Sequence, residues 1–415
     1  MPLQLDLLDT ISAYRPVRCL ASVFWPGANK LKKIILEVII NGSLATTLAY
    51  DMEEGPTGVF TATMDVQSIL QDFLSPDQSD NTTTTSLGTN NSPYKVLNPD
   101  LFSQVEFSAT YQEQLPSGKL QDIGIVETIG TYDVFANVAQ NFDNMELFEF
   151  APILGNTSRF LTNSPKVLDI CLQDSYYLSL YTTALGLGTN TRIRVQTFDS
   201  SGALIQEGSF NYFALLTGTQ QDQITGGFGP ANLSAAVYDE GAVNILDPNV
   251  SYYHVEGGIF GLPSFLVTSE TFRFNIVPCC DSYKVRLYWL NCKGGFDAVT
   301  MKYTQQTIDK SSTTIQRPLN WGPAPNYHNP QDKGKYPVNI EAIESFELEY
   351  LIKDKTFGVW LQELLYSPEI YAEIDGQPMQ SVVILDSTPI SDIKDDLSLF
   401  EVTIQPSNNI ITMRN

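Results

Sequence analysis

The sequence predicts a mainly β protein of two or three β-sandwich-like domains, with a few short helices and a C-terminal part that is α+β. Three observations carry this expectation. At 415 residues the chain is longer than one ordinary core organises. Hydrophobic residues make up 43% and charged residues only 17%, the balance of a folded chain that can fill several cores. Its 22 Phe and 20 Tyr, with abundant Thr and Val, favour pleated structure over helix.

The elements follow in order. Residues 33–41 are a strongly apolar run closed by Asn41-Gly42, a dipeptide suited to a two-residue hairpin turn. Residues 58–64 read as the next strand. Residues 105–114 and 122–128 flank Pro116-Ser117-Gly118, and residues 191–198 and 203–210 flank Asp199-Ser200-Ser201-Gly202, two further hairpins. Phe272, Phe274 and Ile276 alternate with Arg273 and Asn275 as a half-buried strand requires. Residues 283–290 continue that pattern into a Lys293-Gly294-Gly295 turn. Helical spacing occurs twice: Val66, Ile69, Leu70, Phe73 and Leu74 within 65–74, and Phe357, Trp360, Leu361, Leu364 and Leu365 within 356–366. Asp65 is a candidate N-cap, and Pro76 and Pro368 are stop signals.

These elements group into an N-terminal β-rich domain at 1–130, a β-sandwich at 131–310 and a small α+β domain at 330–415. The first carries a flexible insertion at 75–95, where four consecutive threonines sit among almost nothing apolar. Between the last two lies a Pro/Gly-rich crossing segment at 311–329, with Pro318, Gly322, Pro323 and Pro325.

Charge and composition exclude several functions. With 24 basic and 47 acidic residues the net charge is −23, which opposes binding to nucleic acid and to anionic membranes. No apolar run of bilayer length appears, so no membrane insertion is expected. No basic stretch followed by an apolar one opens the chain, so no signal peptide is expected either. Five cysteines, Cys19, Cys171, Cys279, Cys280 and Cys292, show no regular spacing. Their expected state is that of buried free thiols in a reducing cytoplasm.

Chemical motifs are sparse. The two histidines, His254 and His328, have no HxxxH or CxxC context, and the adjacent pair Cys279-Cys280 is poorly disposed to share one ion. No G-x-S-x-G elbow is present. Gly186-x-Gly188 and Gly227-x-Gly229 lack the third glycine and the Lys-Ser/Thr of phosphate loops. Asp77-x-Ser79-x-Asn81 begins like a calcium loop, but Thr82 and Gly88 break the pattern. A glycosidase needs only two carboxylates, and no spacing here singles out a pair. The expectation is a protein that is not an enzyme, with no catalytic, cofactor-binding or metal-binding residues. Tyr252, Tyr253, Trp321 and Tyr327 are the candidate interaction or assembly residues, since exposed Tyr and Trp anchor partners or stack on sugars. Ordinary core packing is the competing reading for each.

Several segments together carry a resemblance. Arg15-Pro16-Val17 precedes a strand ending in Ile39-Ile40-Asn41-Gly42. Gly58-Val59-Phe60 and Met64-Asp65-Val66 lead into Ile69-Leu70-Gln71-Asp72. In the middle stands Trp289-Leu290-Asn291 with Gly294-Gly295-Phe296-Asp297, and near the end Trp360-Leu361-Gln362-Glu363 runs to Ser367-Pro368-Glu369. This order resembles virion-associated structural (tail) proteins of tailed phages infecting Bacteroidota, including crAss-like phages. The resemblance implies a structural component of the virion, in the tail, the tail tip or a fibre attachment, assembled in the host cytoplasm. It implies other virion proteins and further copies of the same chain as partners, and carries over no catalytic residue. The alternative is a carbohydrate-binding adhesin or receptor-binding module that meets host surface glycan through exposed aromatics.

Overall fold

The computed structural model describes residues 4–5, 10–12, 18–24, 29–55, 59–66, 68–70, 96–97, 102–135, 160–182, 191–211, 222–261, 264–278, 283–316, 335–352, 354–375, 379–387, 398–408 and 411–414. They form a mainly β chain, as the composition predicts. The chain divides into two compact units. One comprises Met1–Cys279, Trp289–Ala298 and Tyr366–Glu369, the other Cys280–Tyr288, Val299–Leu365 and Ile370–Asn415.

The first unit begins with β1 (Gln4–Leu5), β2 (Thr10–Ser12), β3 (Arg18–Phe24), β4 (Lys30–Ile40) and β5 (Ser43–Asp51). After these come β6 (Glu53–Glu54), β7 (Val59–Asp65), β8 (Val96–Leu97), β9 (Phe102–Gln114) and β10 (Leu120–Phe135). Two sheets result, ordered β1-β3-β7-β6 and β2-β10-β9-β4-β5. Alternation in β4 explains its central place: Ile34, Leu36, Val38 and Ile40 face Tyr111, Ala109, Phe107 and Val105 across the ladder to β9. All eight are buried, so each cross-strand pair is an apolar contact on one face. The β4–β5 reversal uses Asn41 and Gly42 at φ 50° and 77°, the two positive values that a type I′ turn demands. Residues 68–70 are helical next to buried Val66 and Leu70. The rest of the helix expected to 74, and the insertion expected at 75–95, lie outside the described residues.

The remaining strands of this unit are β11 (Val167–Ile170), β12 (Tyr177–Thr182), β13 (Thr191–Phe198), β14 (Leu204–Asn211), β15 (Asp222–Gly227), β16 (Glu240–Gly241), β17 (Tyr252–Gly261) and β18 (Ser264–Ile276). They make a six-stranded sheet, β11-β18-β17-β13-β14-β16, and a three-stranded one, β12-β15-β8. One face of the larger sheet is core: Ile193, Val195, Tyr253, Val255, Phe272 and Phe274 are all buried. Phe160 meets Phe272 edge-on at 5.4 Å and Tyr176 meets Phe274 at 5.2 Å. The β13–β14 turn is tied by Asp199, whose carboxylate accepts from Ser201 N at 2.8 Å and Ala203 N at 2.9 Å. Cys171, just after β11, is disulfide-bonded. That corrects the expectation of free thiols throughout, which rested on irregular spacing; a bridge is set by where strands bring sulfurs, and spacing along the chain does not reveal that. Cys292 is free.

The second unit holds β19 (Lys284–Leu290), β20 (Phe296–Gln316), β21 (Lys335–Ile352), β22 (Ile370–Ile374), β23 (Gln380–Ser387), β24 (Ser398–Pro406) and β25 (Ile411–Arg414), the first two strands running on into residues of the first unit. Their order is β20-β19-β22-β23-β24-β21-β25, and an additional β20–β21 pairing closes the first six into a barrel. Its interior takes Val285, Leu287, Met301, Phe346, Leu348, Ala372, Phe400, Val402 and Ile404. The helix Lys355–Tyr366 buries Trp360, Leu361 and Leu364, the stripe read from the sequence, and Asp354 accepts from Phe357 N at 2.8 Å as its cap.

Three boundaries differ from expectation. The cut between 130 and 131 falls inside β10, and both sides of it belong to one compact unit, because the strand pairs along its length with β9. Residues 311–316 are not a crossing segment but the end of β20, paired through Gln316 to Lys335. The C-terminal unit also reaches back to residues 280–288 and 299–316, because the barrel needs β19 and β20 to close. Proline density beyond residue 317 drew the expected boundary too early; residues 317–329 themselves lie outside the described residues.

Candidate functional site

Tyr252 and Tyr253 are successive residues of β17 and therefore project from opposite faces of its sheet. Tyr253 is core: it is buried, stacks on Phe274 at 5.0 Å and donates its hydroxyl to the Phe228 carbonyl at 2.8 Å. Tyr252 is half-buried on the other face. Phe198 of β13 stacks on it at 5.0 Å, and the Arg273 guanidinium of β18 lies 3.8 Å from the ring centroid. Since β13 and β18 flank β17 on its two sides, both ring faces are covered. A sugar platform needs a free face. Trp321, Tyr327 and His328 lie outside the described residues.

The same face carries a polar ladder. Arg194 Nε donates to Glu256 at 2.9 Å, Thr271 donates to the other Glu256 oxygen at 3.0 Å, and Arg192 pairs with Glu240 at 2.7 Å. Every carboxylate named here is held by a cation or hydroxyl, an arrangement that fixes strand register. His254 sits 4.7 Å from the Phe198 ring. Burial lowers its pKa, with Arg273 adding to the effect and Glu256 opposing it. Among the described residues no group of three His, Cys, Asp or Glu is placed to hold a metal ion.

The Trp289–Asp297 region, one of the segments that carry the resemblance, is a lock rather than a reactive centre. Asn291 is fully buried; its Nδ2 donates to the Leu161 carbonyl at 2.7 Å and to Asp297 at 3.0 Å. Its Oδ1 accepts from Lys293 N at 2.8 Å and Gly295 N at 3.1 Å. Lys293 Nζ reaches the Thr162 carbonyl at 3.1 Å. Gly294 has φ 84°, and a Cβ at Gly295 would strike the Leu161 carbonyl. Both glycines are thus demanded by backbone, one by torsion and one by close approach. On the barrel, an open depression of about 250 Å³ holds Glu347, Asp386 and Glu401 beside Thr304, Ser387 and Thr403, without histidine or cysteine.

The feature that motif reading missed is the far end of β20. Every residue from 304 to 316 is exposed except half-buried Thr307. On one side this stretch pairs with β21. On the other, β19 starts at Lys284, and the last main-chain bond among the described residues is Tyr303 N–H donating to the Tyr283 carbonyl at 3.0 Å. Beyond that point no described strand lies beside it. The signal was available: Thr-Gln-Gln-Thr-Ile-Asp-Lys-Ser-Ser-Thr-Thr-Ile-Gln at 304–316 is rich in β-formers, lacks Gly and Pro, and has no apolar face. No protein-family model matches this chain, and a search of the curated proteins finds no match either.

Proposed function

We propose that this chain is a non-enzymatic structural component of a phage virion, a tail, tail-tip or fibre-attachment protein that self-assembles or docks to neighbouring virion proteins. Assembly in the host cytoplasm, into a virion, goes with that role, as does the choice of protein over nucleic acid or membrane as partner. The observation that carries the reading is the exposed outer part of β20. Among the described residues no strand pairs with its second edge; such an edge presents a row of main-chain donors and acceptors, and monomeric proteins normally cover or charge it. The sequence resemblance to virion-associated proteins points the same way. The adhesin reading draws little from Tyr252 and Tyr253, because Tyr253 is core and both faces of Tyr252 are occupied.

Light scattering combined with negative-stain imaging of the purified chain tests the proposal. Discrete symmetric oligomers or rings are expected. A strict monomer at high concentration, together with selective binding on a glycan array, would replace this reading with the adhesin one.

A further inference from the structure

We infer that the outer edge of β20 over residues 306–316 is a strand-addition site for a second copy of this chain, paired antiparallel about Ser311. The inference rests on the self-assembly reading above and names its surface. At about 3.3 Å per residue the edge from 305 to 316, beside which no described strand lies, is about 40 Å long, with about six N–H and six C=O groups directed outward. Devices that normally protect such an edge are scarce. There is no proline in it and Lys310 is its only lysine; one bulge, at Tyr303–Gln305, lies at its base, and the second register shift, at Thr313–Thr314, puts its extra residue in β21 and leaves β20 continuous.

Charge selects the occupant. Residues 304–316 contain one acid, Asp309, and one base, Lys310, and are formally neutral in a chain of net charge −23. Two copies repel over most of their surfaces, and a neutral edge is where they meet without that cost. A basic partner would instead be drawn to the acidic remainder.

Symmetry then restricts the register. A two-fold axis normal to a sheet places each residue opposite one on the same face, so a strand pairs with its own copy about a single residue. Pairing about Asp309 or Lys310 sets like charges opposite each other, which destabilises. About Ser311, Asp309 faces Thr313, Lys310 faces Ser312, Ile308 faces Thr314 and Thr307 faces Ile315, while Gln306 faces Gln316. No like charges meet. Ile308 and Ile315, 62% and 43% exposed in the single chain, each gain a β-branched neighbour.

Three variants of the full chain test this. In the stated register the two Ser311 Cα atoms lie about 5 Å apart, within disulfide range, whereas the two Asp309 Cα atoms are about 13 Å apart. Ser311→Cys is expected to cross-link two copies under mild oxidation, and Asp309→Cys is expected to cross-link no more than the unaltered chain. Thr307→Glu with Ile315→Glu, placing acids opposite each other, is expected to weaken self-association about tenfold or more without moving the melting temperature. An assembled wild type whose Ser311→Cys variant does not cross-link, or whose double-Glu variant assembles normally, overturns the site and leaves self-assembly standing. A wild type that stays monomeric overturns both.

Discussion

One strand contains two regimes. The first six residues of β20, Phe296 to Met301, are buried apart from half-buried Thr300; its residues 304–316 are almost wholly exposed. Both parts have β propensity, and both pair with neighbours. They differ in what alternates. The beginning reads Phe-Asp-Ala-Val-Thr-Met, with apolar side chains on both faces and its one acid, Asp297, accepting from Asn291. The later stretch has hydroxyls and amides on both faces. Strand formation needs only backbone pairing and tolerant side chains, whereas burial needs apolar area. The comparison teaches that the outer stretch is held in place by its ladder to β21, with both faces exposed and no described strand along its second edge.

The largest predicted effect sets the two parts directly against each other. Met301 is 1% exposed and Ile308 is 62% exposed. Met301→Ala is expected to cost about 2–5 kcal/mol through lost burial and a residual cavity. Ile308→Ala is expected to stay within about 0.5 kcal/mol in the isolated chain. Urea unfolding at low protein concentration measures both. Comparable losses would mean that Ile308 is already covered within one chain, and the division of β20 into two regimes would fall.

The next effect sharpens the buried side. Asn291 serves four hydrogen-bond partners in a buried site, so Asn291→Ala leaves the Leu161 carbonyl, two turn amides and the Asp297 carboxylate short of a partner. A loss of about 2–4 kcal/mol is expected, with Asn291→Asp only partly restorative because Nδ2 is the group facing two acceptors. Thermal unfolding with and without the substitution checks this. A loss below about 0.5 kcal/mol, the range of ordinary surface changes, would show that the turn is not locked to residue 161.

Much of this fold was legible because the physics is local. Asn41-Gly42, Asp199 to Gly202 and Gly294-Gly295 each announce a reversal through the torsions that only such residues adopt readily. The stripe of Trp360, Leu361 and Leu364 likewise announces the buried face of a helix. Non-local features were hidden. Barrel closure depends on residues 302–316 meeting 335–349, and no periodicity within either segment encodes that pairing. The Cys171 bridge was hidden for the same reason. For the candidate residues, Tyr252 and Tyr253 look alike in sequence; their parity in β17 decides which is core, and knowing which face is inward requires the neighbouring sheet. The open edge of β20 was half-legible, as a polar β-forming run, but an edge is defined by the strand that is absent beside it.

The smallest predicted effect lies at the joint between the two parts. Tyr303 is the last residue of β20 with a described main-chain partner on that side, Tyr283; it is half-buried and edge-on to Phe346 at 5.7 Å, with its hydroxyl donating to Asp375 at 2.8 Å. Burial first, then the hydrogen bond to Asp375 and its negative charge, push the Tyr303 pKa from 10 up to about 12. The protonated phenol is therefore favoured by folding, so its contribution is fully present below pH 10 and is lost as pH rises through about 12. Ultraviolet titration of the folded protein should show a phenol ionising near pH 12 that disappears in Tyr303→Phe. The same substitution should flatten the loss of melting temperature above pH 10 while leaving the value at pH 7 nearly unchanged, as expected for a partly solvated hydrogen bond of about 1 kcal/mol or less. If Tyr303 instead ionises near 10, the hydroxyl is as open to water as the strand beyond it. The boundary between the packed and open parts of β20 would then move back to Met301.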